Sequence, residues 1–275
     1  MKAGLLPGSR STLAAKVNVN LPGNWQARQL PTIQGVVVLA DTATGRPLAI
    51  MDSMALTAIR TAATAMLAAR YGARPNSRIA AVIGCGEQAR YQIEALRASF
   101  PIEEIRLFDL DDGKARTLAA AIEKNSMRAL PAVSAAAAVR GADICITCTT
   151  SKQPVLTEEM PLGACFIAAM GADNPEKSEI DPRLMSRARI LVDDLEQCAV
   201  GADLARALKE GSVTRDDVHA DLADLASQRK TGRQASDELV IFDSSGSGVQ
   251  DVAAAWSAYQ AARAAGAGMK FDLIG

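Results

Sequence analysis

The sequence predicts an α/β fold in which helices cover both faces of a parallel sheet. From residue 78 onward, short apolar runs such as IRLFD, DICITCTT and RILVDD alternate with helical patterns, which is typical of successive βαβ units. One of these junctions, RIAAVIGCGEQAR at residues 78–90, passes from an apolar strand through a glycine turn into the start of a helix. With 275 residues, 49% of them hydrophobic, the chain is long enough to bury a large core in one or two domains.

The charge balance and the N-terminal segment restrict the class of partner. Lys and Arg number 30 against 31 Asp and Glu, so no excess of charge favours nucleic acid or an anionic membrane surface. The segment MKAGLLPGSR lacks the apolar core of a signal peptide, and no apolar run has the length needed to span a bilayer. We therefore expect a cytoplasmic protein whose partners are small molecules or further subunits, with no nucleic acid and no membrane.

The five cysteines have irregular spacing, which indicates reduced thiols rather than a disulfide framework. Cys145 and Cys148 form a Cys-X-X-Cys inside an apolar strand, so we expect them to face opposite sides of the sheet and to serve packing rather than redox chemistry. The sole histidine, His219, lies in a polar stretch far from any Cys or His cluster, and we assign it no role and expect no metal site.

The first 50 residues favour strands. LAAKVNVNLPGN predicts an extended strand, and TIQGVVVLAD with LAIMD predicts a hairpin around TATGRP. Lys16 lies in the first strand, where the residues alone favour a solvated charge at a sheet edge. A helix is then predicted to run to Gly72, with Asp52 or Ser53 as its N-cap. Arg60 on this helix is surrounded by apolar residues and needs a partner, either a carboxylate of this protein or a substrate carboxylate or cofactor phosphate.

The glycine turn predicts a phosphate cradle. Gly84 permits the tight turn, Gly86 lets the backbone approach a pyrophosphate, and Ala89 takes the place of a third glycine. Asp109 ends the next strand at the spacing where a carboxylate accepts from both ribose hydroxyls. The sequence therefore predicts a Rossmann-type, doubly wound parallel sheet that binds a dinucleotide.

The residues after Asp109 bear on which dinucleotide binds. Leu110 follows it directly, with no adjacent Arg to receive a 2′-phosphate, so NAD is favoured over NADP. Lys114 and Arg116 leave NADP open as the alternative.

Loops after two later strands carry further candidate residues. Thr149 and Thr150 follow DICITCTT, and Asp173 follows ACFIAAMG, so all three are expected at the carboxyl edge of the sheet, where ligands bind. Asp173 is a candidate acid or base, and the alternative is a turn residue before Asn-Pro. Further on, one helix is predicted around LEQCAVGADLARALKEG, and the last helix, VQDVAAAWSAYQAARAAG, is expected to pack on the N-terminal hairpin or on a second subunit.

Six segments together resemble the ornithine cyclodeaminase/μ-crystallin family. They occur in the family's order and span nearly all of the chain: LAAKVNVNLPGN, DTATGRPLAIMDSMALTAIRTAATAMLAARYG, AVIGCGEQARYQIEAL, TCTTSKQPVL, AAMGADNPEKSEID and LVIFDSSGSGVQD. The resemblance implies a Rossmann domain at residues 63–248. It also implies a discontinuous α+β domain for substrate binding and dimerisation, formed by residues 1–62 and 249–275, and hence a homodimer.

The resemblance also implies roles for individual residues. Lys16 matches a lysine that contacts the substrate carboxylate and takes part in catalysis, Arg60 an arginine shared by substrate and cofactor, and Asp173 the catalytic aspartate. Gly246 matches a substrate-side position in the loop that closes over nicotinamide and substrate. The cofactor-side positions are Thr32, Arg60, Gly84, Gly86, Glu87, Gln88, Asp109, Thr149, Thr150, Met170, Gly171, Ala172, Lys177 and Ser245.

Family members usually carry a further segment before the first of these motifs, including an arginine that helps to grip the substrate carboxylate. We therefore expect that this chain lacks the N-terminal part of the substrate domain. Arg10 comes after that segment in the family's order and is assigned no role.

The resemblance implies an NAD-dependent amino-acid enzyme. In a cyclodeaminase, hydride leaves Cα as an imine forms, a terminal amine attacks the imine carbon, ammonia leaves, and the hydride returns to give a proline-like product. A second hypothesis is net redox chemistry at the same site, as in a ketimine or pyrroline-carboxylate reductase or an alanine dehydrogenase. A third is a crystallin-like dinucleotide-binding protein without catalysis.

Overall fold

The computed structural model describes residues 1–7, 11–21, 23–123, 127–270 and 272. Arg10 lies outside the described residues, as does Lys124, where the sequence predicts the end of a helix that begins at Asp112. Two compact units make up the chain, the first formed by Met1–Arg60 with Ser247–Gly275 and the second by Thr61–Gly246.

The strands are β1 Lys2–Leu6, β2 Thr12–Asn20, β3 Ile33–Asp41, β4 Pro47–Asp52, β5 Ile79–Ile83, β6 Glu104–Phe108, β7 Arg128–Pro131, β8 Ile144–Thr147, β9 Phe166–Ala169, β10 Arg189–Val192, β11 Val218–Asp221 and β12 Val240–Asp243. The helices are α1 Asn24–Arg28, α2 Ser53–Gly72, α3 Glu87–Ser99, α4 Asp112–Glu123, α5 Ala135–Val139, α6 Pro182–Met185, α7 Leu195–Gly201, α8 Asp203–Glu210, α9 Leu222–Ala226 and α10 Gly248–Ala265, with a 3₁₀ turn at Arg215–Asp217.

The first unit is an antiparallel sheet in the order β1-β2-β3-β4, with α10 packed on one face. Side chains alternate between the two faces of a strand, and in β2 the residues Thr12, Ala14 and Lys16 face inward while Leu13 and Val17 face outward. Strand β2 pairs with β1 on one side and with β3 on the other, so it is an inner strand. The prediction of Lys16 as a solvated edge charge is therefore wrong, since its side chain is buried against α10.

The start of α10 rests directly on the backbone of β1. A Cβ at Gly4 would lie 2.2 Å from the carbonyl carbon of Gly248, and a Cβ at Gly248 would lie 2.0 Å from the carbonyl oxygen of Ala3. Only glycine permits such an approach, so the first strand and the last helix share one tightly packed contact. The last helix was predicted to pack on the N-terminal hairpin or on a second subunit, and the first alternative is confirmed, since α10 contacts the hairpin strands β3 and β4 as well as β1 and β2.

The second unit confirms the predicted fold. Its sheet of parallel strands has the order β11-β10-β12-β9-β8-β5-β6-β7. From β5 the chain continues to β6 and β7 on one side and then returns to β8 on the other, so the strand order reverses next to β5. Apolar side chains leave both faces, with Val82 in one buried cluster and Ile83 in the other, as expected for a sheet covered on both sides.

Local details agree with the sequence in some places and differ in others. Asp52 caps α2, because its Oδ1 accepts from the N–H groups of Met54 and Ala55 at 2.7 and 3.2 Å. The predicted single helix around residue 200 is instead two helices, α7 and α8, which meet at Ala202 in an extended conformation. The polar stretch around His219 forms an unpredicted edge strand, β11.

Cys145 belongs to one buried cluster of the sheet and Cys148 packs against the other, so the two thiols do face opposite sides. All five cysteines are free, and burial raises the pKa of the Cys145 thiol well above its usual range, which keeps it unreactive. Among the described residues, no helix has both the length and the apolar character needed to cross a membrane. The same ranges contain no group of three or more His, Cys, Asp or Glu side chains suited to a metal ion.

Candidate functional site

The glycine turn between β5 and α3 has the shape of an anion cradle. Gly84 has a φ of +94°, and a Cβ there would lie 2.9 Å from the carbonyl oxygen of Cys148, so glycine is required. Gly86 caps α3 without a side-chain hydrogen bond, and a Cβ at this position would meet no atom within 4 Å. The space beside Gly86 at the start of α3 is therefore open, and Ala89 in the first turn of the helix is fully buried.

Asp109 lies directly after β6, beside this turn. Its Oδ2 accepts from the N–H of Cys85 at 2.8 Å, and its Oδ1 accepts from the N–H of Asp111 at 2.9 Å. Each carboxylate oxygen has a second lone pair, so both can also accept from ribose hydroxyls. Burial and the nearby Asp109 raise the pKa of the Cys85 thiol to about 12, so the turn contains a neutral thiol. Leu110 is 95% exposed and leaves the position after Asp109 uncharged.

Three further residues predicted on the cofactor side, Glu87, Gln88 and Thr32, lie at the start of α3 and just before the hairpin. Glu87 is exposed in the first turn of α3, and Gln88 next to it is half-buried. Thr32 lies in an exposed bend before β3, where its carbonyl oxygen accepts from the N–H of Leu21 at 2.8 Å.

A fully buried carboxylate, Glu179, joins the loops that follow β8 and β9. Its Oε1 accepts from the N–H of Thr149 at 2.6 Å, and its Oε2 accepts from the hydroxyl of Thr147 and the N–H of Gly171, both at 2.7 Å. Met170 and Ala172, on either side of Gly171, are buried, whereas Thr150 is exposed. The structure thus brings the predicted Thr149 and Gly171 positions together through a residue that the sequence analysis missed.

Asp173 follows these loops and is half-exposed. Lys177 forms an ion pair with its Oδ1 at 2.8 Å, and Asn174 Nδ2 donates to the same oxygen at 3.0 Å. Lys177 also donates to the carbonyl oxygen of Gly171 at 3.3 Å, so the ion pair is tied to the loop after β9. Asp173 is therefore accessible, and its side chain is held in place by two hydrogen-bonding partners.

A second missed carboxylate, Asp193, holds the loop after β12. It follows β10, and its two oxygens accept from the Ser244 hydroxyl at 2.8 Å and from the N–H groups of Ser245 and Gly246 at 3.2 and 2.8 Å. Gly246 has a φ of +75°, which favours glycine at this position. The predicted Ser245 and Gly246 positions are thus fixed by one buried anion.

In the first unit, Lys16, Arg60 and Asp251 form a buried group that we call the charged triad. Lys16 Nζ lies 2.8 Å and Arg60 Nε 3.1 Å from the same atom, Asp251 Oδ1. Thr57 Oγ1 also accepts from Lys16 Nζ at 3.2 Å, and Gln250 Oε1 accepts from Arg60 at 2.8 Å. For Arg60, the alternative of a carboxylate within this protein is thus realised, and it does not exclude a ligand.

The charges of this triad are unequal. Two cations contact one carboxylate, whose side chain is only 1% exposed, and Asp251 Oδ2 is buried without a hydrogen bond. Burial, and secondly the Arg60 guanidinium, lower the pKa of the Lys16 ammonium from its usual value. An added anion would offset both effects, so the triad is suited to bind one.

The sequence contained a signal for the missed carboxylates, although a weak one. Lys16 and Arg60 both emerge from apolar surroundings and require an anion, and Asp251 is the acid nearest the start of the last helix. Asp193 directly follows the apolar run RILV, whereas Glu179 lies in the polar stretch NPEKSEID, and nothing in the sequence distinguishes either from an ordinary loop residue.

Comparisons with known proteins identify the family. The model of the ornithine cyclodeaminase/mu-crystallin family matches residues 4–266. The chain belongs to this family. The resemblance that the six motifs carry is therefore confirmed.

Individual members of the family give the range of its activities. Alanine dehydrogenase of Archaeoglobus fulgidus is 38% identical over 92% of this chain and 78% of its own length, and ornithine cyclodeaminase of Agrobacterium tumefaciens is 35% identical over 91% and 69%. Among solved structures, an archaeal alanine dehydrogenase dimer with bound NAD matches with a TM-score of 0.92 and 34% identity, covering 99% of this chain and 89% of that one. Δ(1)-pyrroline-2-carboxylate reductase of Thermococcus litoralis, in complex with NADH and L-proline, matches with a TM-score of 0.91 and 28% identity, covering 98% and 89%.

Proposed function

We propose that this protein is an NAD-dependent enzyme that exchanges a hydride with Cα of a small L-amino acid or of the corresponding imino acid. The observation that carries the proposal is the charged triad, in which the buried Lys16 and the largely buried Arg60 both contact one oxygen of Asp251. A buried ammonium beside a largely buried guanidinium favours a bound anion, and Arg pairs bidentately with carboxylates. The α-carboxylate of an amino acid supplies that anion, as the named activities of the relatives would require.

NAD fits the second unit. Gly84, Gly86 and the start of α3 would hold the pyrophosphate, Asp109 would accept from the ribose, and the loops of Thr149 and Gly171 would receive the nicotinamide end. The exposed Leu110 beside Asp109 supports NAD rather than NADP. When bound, NAD supplies the acceptor for the Cα hydride.

The chain's own residues then have distinct tasks. Lys16 and Arg60 bind and orient the substrate carboxylate, which fixes the position of Cα. Asp173 accepts the proton that the substrate amine loses as the imine forms, or activates water if the imine is hydrolysed. Lys177 pairs with Asp173 at 2.8 Å and orients its carboxylate.

The imine can either cyclise with loss of ammonia or be the product or substrate of a net redox reaction, and different relatives support each reaction. Similarity to ornithine cyclodeaminase supports cyclisation with loss of ammonia. Similarity to alanine dehydrogenase and to the pyrroline-carboxylate reductase supports net oxidation or reduction.

One assay separates these outcomes. The protein is incubated with NAD and ornithine, lysine or alanine, and with NADH and cyclic imines, while ammonia and the absorbance of NADH are followed. Ammonia and proline from ornithine without net NADH indicate a cyclodeaminase, and a net change in NADH indicates a dehydrogenase or reductase. Binding of NADH with no turnover of any substrate would overturn the enzymatic proposal in favour of a crystallin-like role.

The carboxylate role is tested by Lys16→Met. We expect KM for the accepted substrate to rise at least tenfold while the Kd for NADH changes less than twofold, because one of two cations is lost. Lys209→Met, at an exposed position of α8, serves as the control and leaves both constants unchanged.

We also infer a homodimer that forms through the outer face of the first sheet. Leu13, Val17, Val36 and Ile50 lie on the face opposite α10, and each is 39–51% exposed. An exposed apolar face of this kind supports a protein interface. The archaeal alanine dehydrogenase, which matches this chain, is a dimer.

A cytoplasmic location completes the proposal. Five free thiols, four of them buried, suit a reducing compartment. NAD and free amino acids are substrates that such a compartment supplies. Export through an oxidising compartment, shown by fractionation of cells, would contradict this location.

A further inference from the structure

Glu179 has an unusual set of contacts for a fully buried carboxylate. Its three hydrogen bonds, at 2.6–2.7 Å, come from donors on two neighbouring strands, Thr147 at the end of β8 and Gly171 just after β9, and from Thr149. Because β8 and β9 are parallel and pair Thr147 with Ala169, their carboxyl ends lie side by side. One anion therefore fixes the point at which both chains leave the sheet.

The backbone at Gly171 packs tightly against Glu179 and the Thr149 loop. A Cβ at Gly171 would lie 2.4 Å from the carbonyl oxygen of Thr149 and 2.5 Å from Glu179 Oε1. The Thr149 loop in turn contacts the glycine turn, because a Cβ at Gly84 would lie 2.9 Å from Thr149 Cγ2. A shift of Glu179 would thus move both loops at once.

Glu179 is itself anchored from behind. Asp203, at the start of α8, accepts through Oδ1 from the N–H groups of Glu179 and Ile180 at 2.7 and 3.1 Å and from the Ser178 hydroxyl at 3.1 Å. The N–H group of Asp203 in turn donates to Oδ1 of Asp243, at the end of β12, at 3.4 Å. The backbone that carries Glu179 is therefore rigid, as a positioning group requires.

We propose that Glu179 is a positioning residue that sets the loops after β8 and β9 in the shape that receives the nicotinamide end of NAD, without itself touching the cofactor. Its hydrogen-bond donors, Thr147, Thr149 and Gly171, lie outside the glycine turn and Asp109, which would hold the pyrophosphate and the ribose. Loss of the Glu179 anion therefore weakens binding of the nicotinamide end selectively. This inference depends on the proposed function only for the identity of the cofactor.

Glu179→Gln is the most informative change, because the side chain keeps its size. A carboxylate accepts through both oxygens, whereas an amide offers one accepting oxygen and one NH₂ group. Either Thr149 N–H or the pair formed by Thr147 and Gly171 would then face a donor. At least one of the two loops must move.

The test compares two ligands that share the ADP-ribose portion. NADH and ADP-ribose are titrated into wild type and E179Q at pH 8, with NADH binding followed by nicotinamide fluorescence and ADP-ribose binding by calorimetry. We expect the Kd for NADH to rise at least tenfold and the Kd for ADP-ribose to change less than twofold. The fluorescence of bound NADH should shift towards that of free NADH.

Asp143→Asn is the matched control for a general loss of stability. Asp143 also accepts from two backbone N–H groups, those of Arg78 and Ile79 at 2.8 and 3.0 Å, but at the amino ends of β5 and β8. The Asp143→Asn variant should have a lower melting temperature, with the ratio of the dissociation constants for NADH and ADP-ribose unchanged. If E179Q does not fold, Thr147→Val removes one donor to Glu179, and we expect it to raise the Kd for NADH about threefold with that for ADP-ribose unchanged.

An unchanged ratio of dissociation constants in E179Q, or an equal loss of both ligands, would overturn the inference. So would a wild type that binds no NADH. A wild type that binds NADH but turns over no amino or imino acid overturns the proposed enzymatic function alone, because the fluorescence comparison still decides the role of Glu179.

Discussion

Asp251 is the one anion of the charged triad, and its second oxygen is buried without a hydrogen bond. We expect Asp251→Asn to lower the free energy of unfolding by about 3 kcal/mol, because two buried cations lose their common anion. Urea denaturation measures this value. Asp216→Asn, at an exposed position of the 3₁₀ turn, is the control and should change it by less than about 0.5 kcal/mol. A variant at Asp251 as stable as wild type would show that the triad's charges are balanced elsewhere.

Asp173 carries the proposed proton transfer. Asp173→Asn keeps the shape of the loop but removes the base, so we expect kcat to fall roughly 10²–10⁴-fold while the Kd for NADH stays within twofold. Steady-state kinetics with the substrate found in the panel, together with NADH titration, measure both. Glu176→Gln, an exposed acid in the same loop that pairs with Lys152, should leave kcat unchanged. Full activity of the Asp173 variant would remove its catalytic assignment.

Asp203 gives the folded protein a distinctive pH dependence. Burial, and then the neighbouring Glu179, raise the pKa of Asp203 from 3.8 to about 7. Between these two values the folded form holds a proton that the unfolded form has released, so this contribution to stability is complete below pH 3.8 and is lost as the pH rises through 7.

We therefore expect wild type to gain stability relative to Asp203→Asn when the pH is lowered from 8 to 5. Chemical denaturation of both proteins at the two pH values measures the difference. A stability difference that is equal at pH 5 and pH 8 would show that Asp203 does not titrate in this range.

The strand, turn and helix formed by β5 and α3 offer a matched pair of substitutions. Gly86→Ala adds a methyl group where no atom lies within 4 Å and where φ is −81°. We therefore expect the free energy of unfolding to change by less than about 1 kcal/mol. The same methyl group enters the proposed pyrophosphate site, and the Kd for NADH should rise at least tenfold.

Gly84→Ala differs, because its φ is +94° and its Cβ would meet Cys148 and Thr149 at 2.9 Å. It should lower the melting temperature as well as NADH affinity. Thermal unfolding with NADH titration distinguishes the two variants. Normal NADH affinity in the stable Gly86 variant would exclude this turn as the cradle.

The parallel sheet and its helices could be predicted from the sequence because each element has a strong local signal. The division of one predicted helix into α7 and α8 had none. The pattern continues through Ala202, but the N–H groups of Asp203 and Leu204 bind Asp243 on β12, and this tertiary contact starts a new helix. Strand β11 was missed for a similar reason, since its polar sequence is extended only because it pairs with β10.

The candidate site was predictable only where a motif or a strand end marks it. The glycine turn and Asp109 belong to that class. The environment of Lys16 does not, because it depends on β1, whose short sequence gave no separate strand signal and whose pairing makes β2 an inner strand. Asp251, Glu179 and Asp193 were missed because their partners are backbone groups and cations far away in sequence.

For the whole molecule, the homodimer proposal predicts a change in mass. Val17 lies opposite Val36 on the outer face of the first sheet, and a charge there would be buried without a partner in an interface. We expect Val17→Glu to halve the mass measured by light scattering. Leu110→Glu, at another exposed apolar residue, should leave the mass unchanged. A wild type that is already monomeric would contradict the proposal.

The contact between Gly4 and Gly248 has a consequence for synthesis on the ribosome. The four strands of the first unit emerge early, but the helix that covers their inner face follows only after roughly 190 residues of the second unit. The ribosome adds about 5–20 residues per second, so α10 is synthesised about ten to forty seconds after the strands. Until then the inner side chains Ala14, Val37 and Leu39 are not covered by this helix. During that interval the nascent chain exposes an apolar sheet, which makes it a client for chaperones until its last helix arrives.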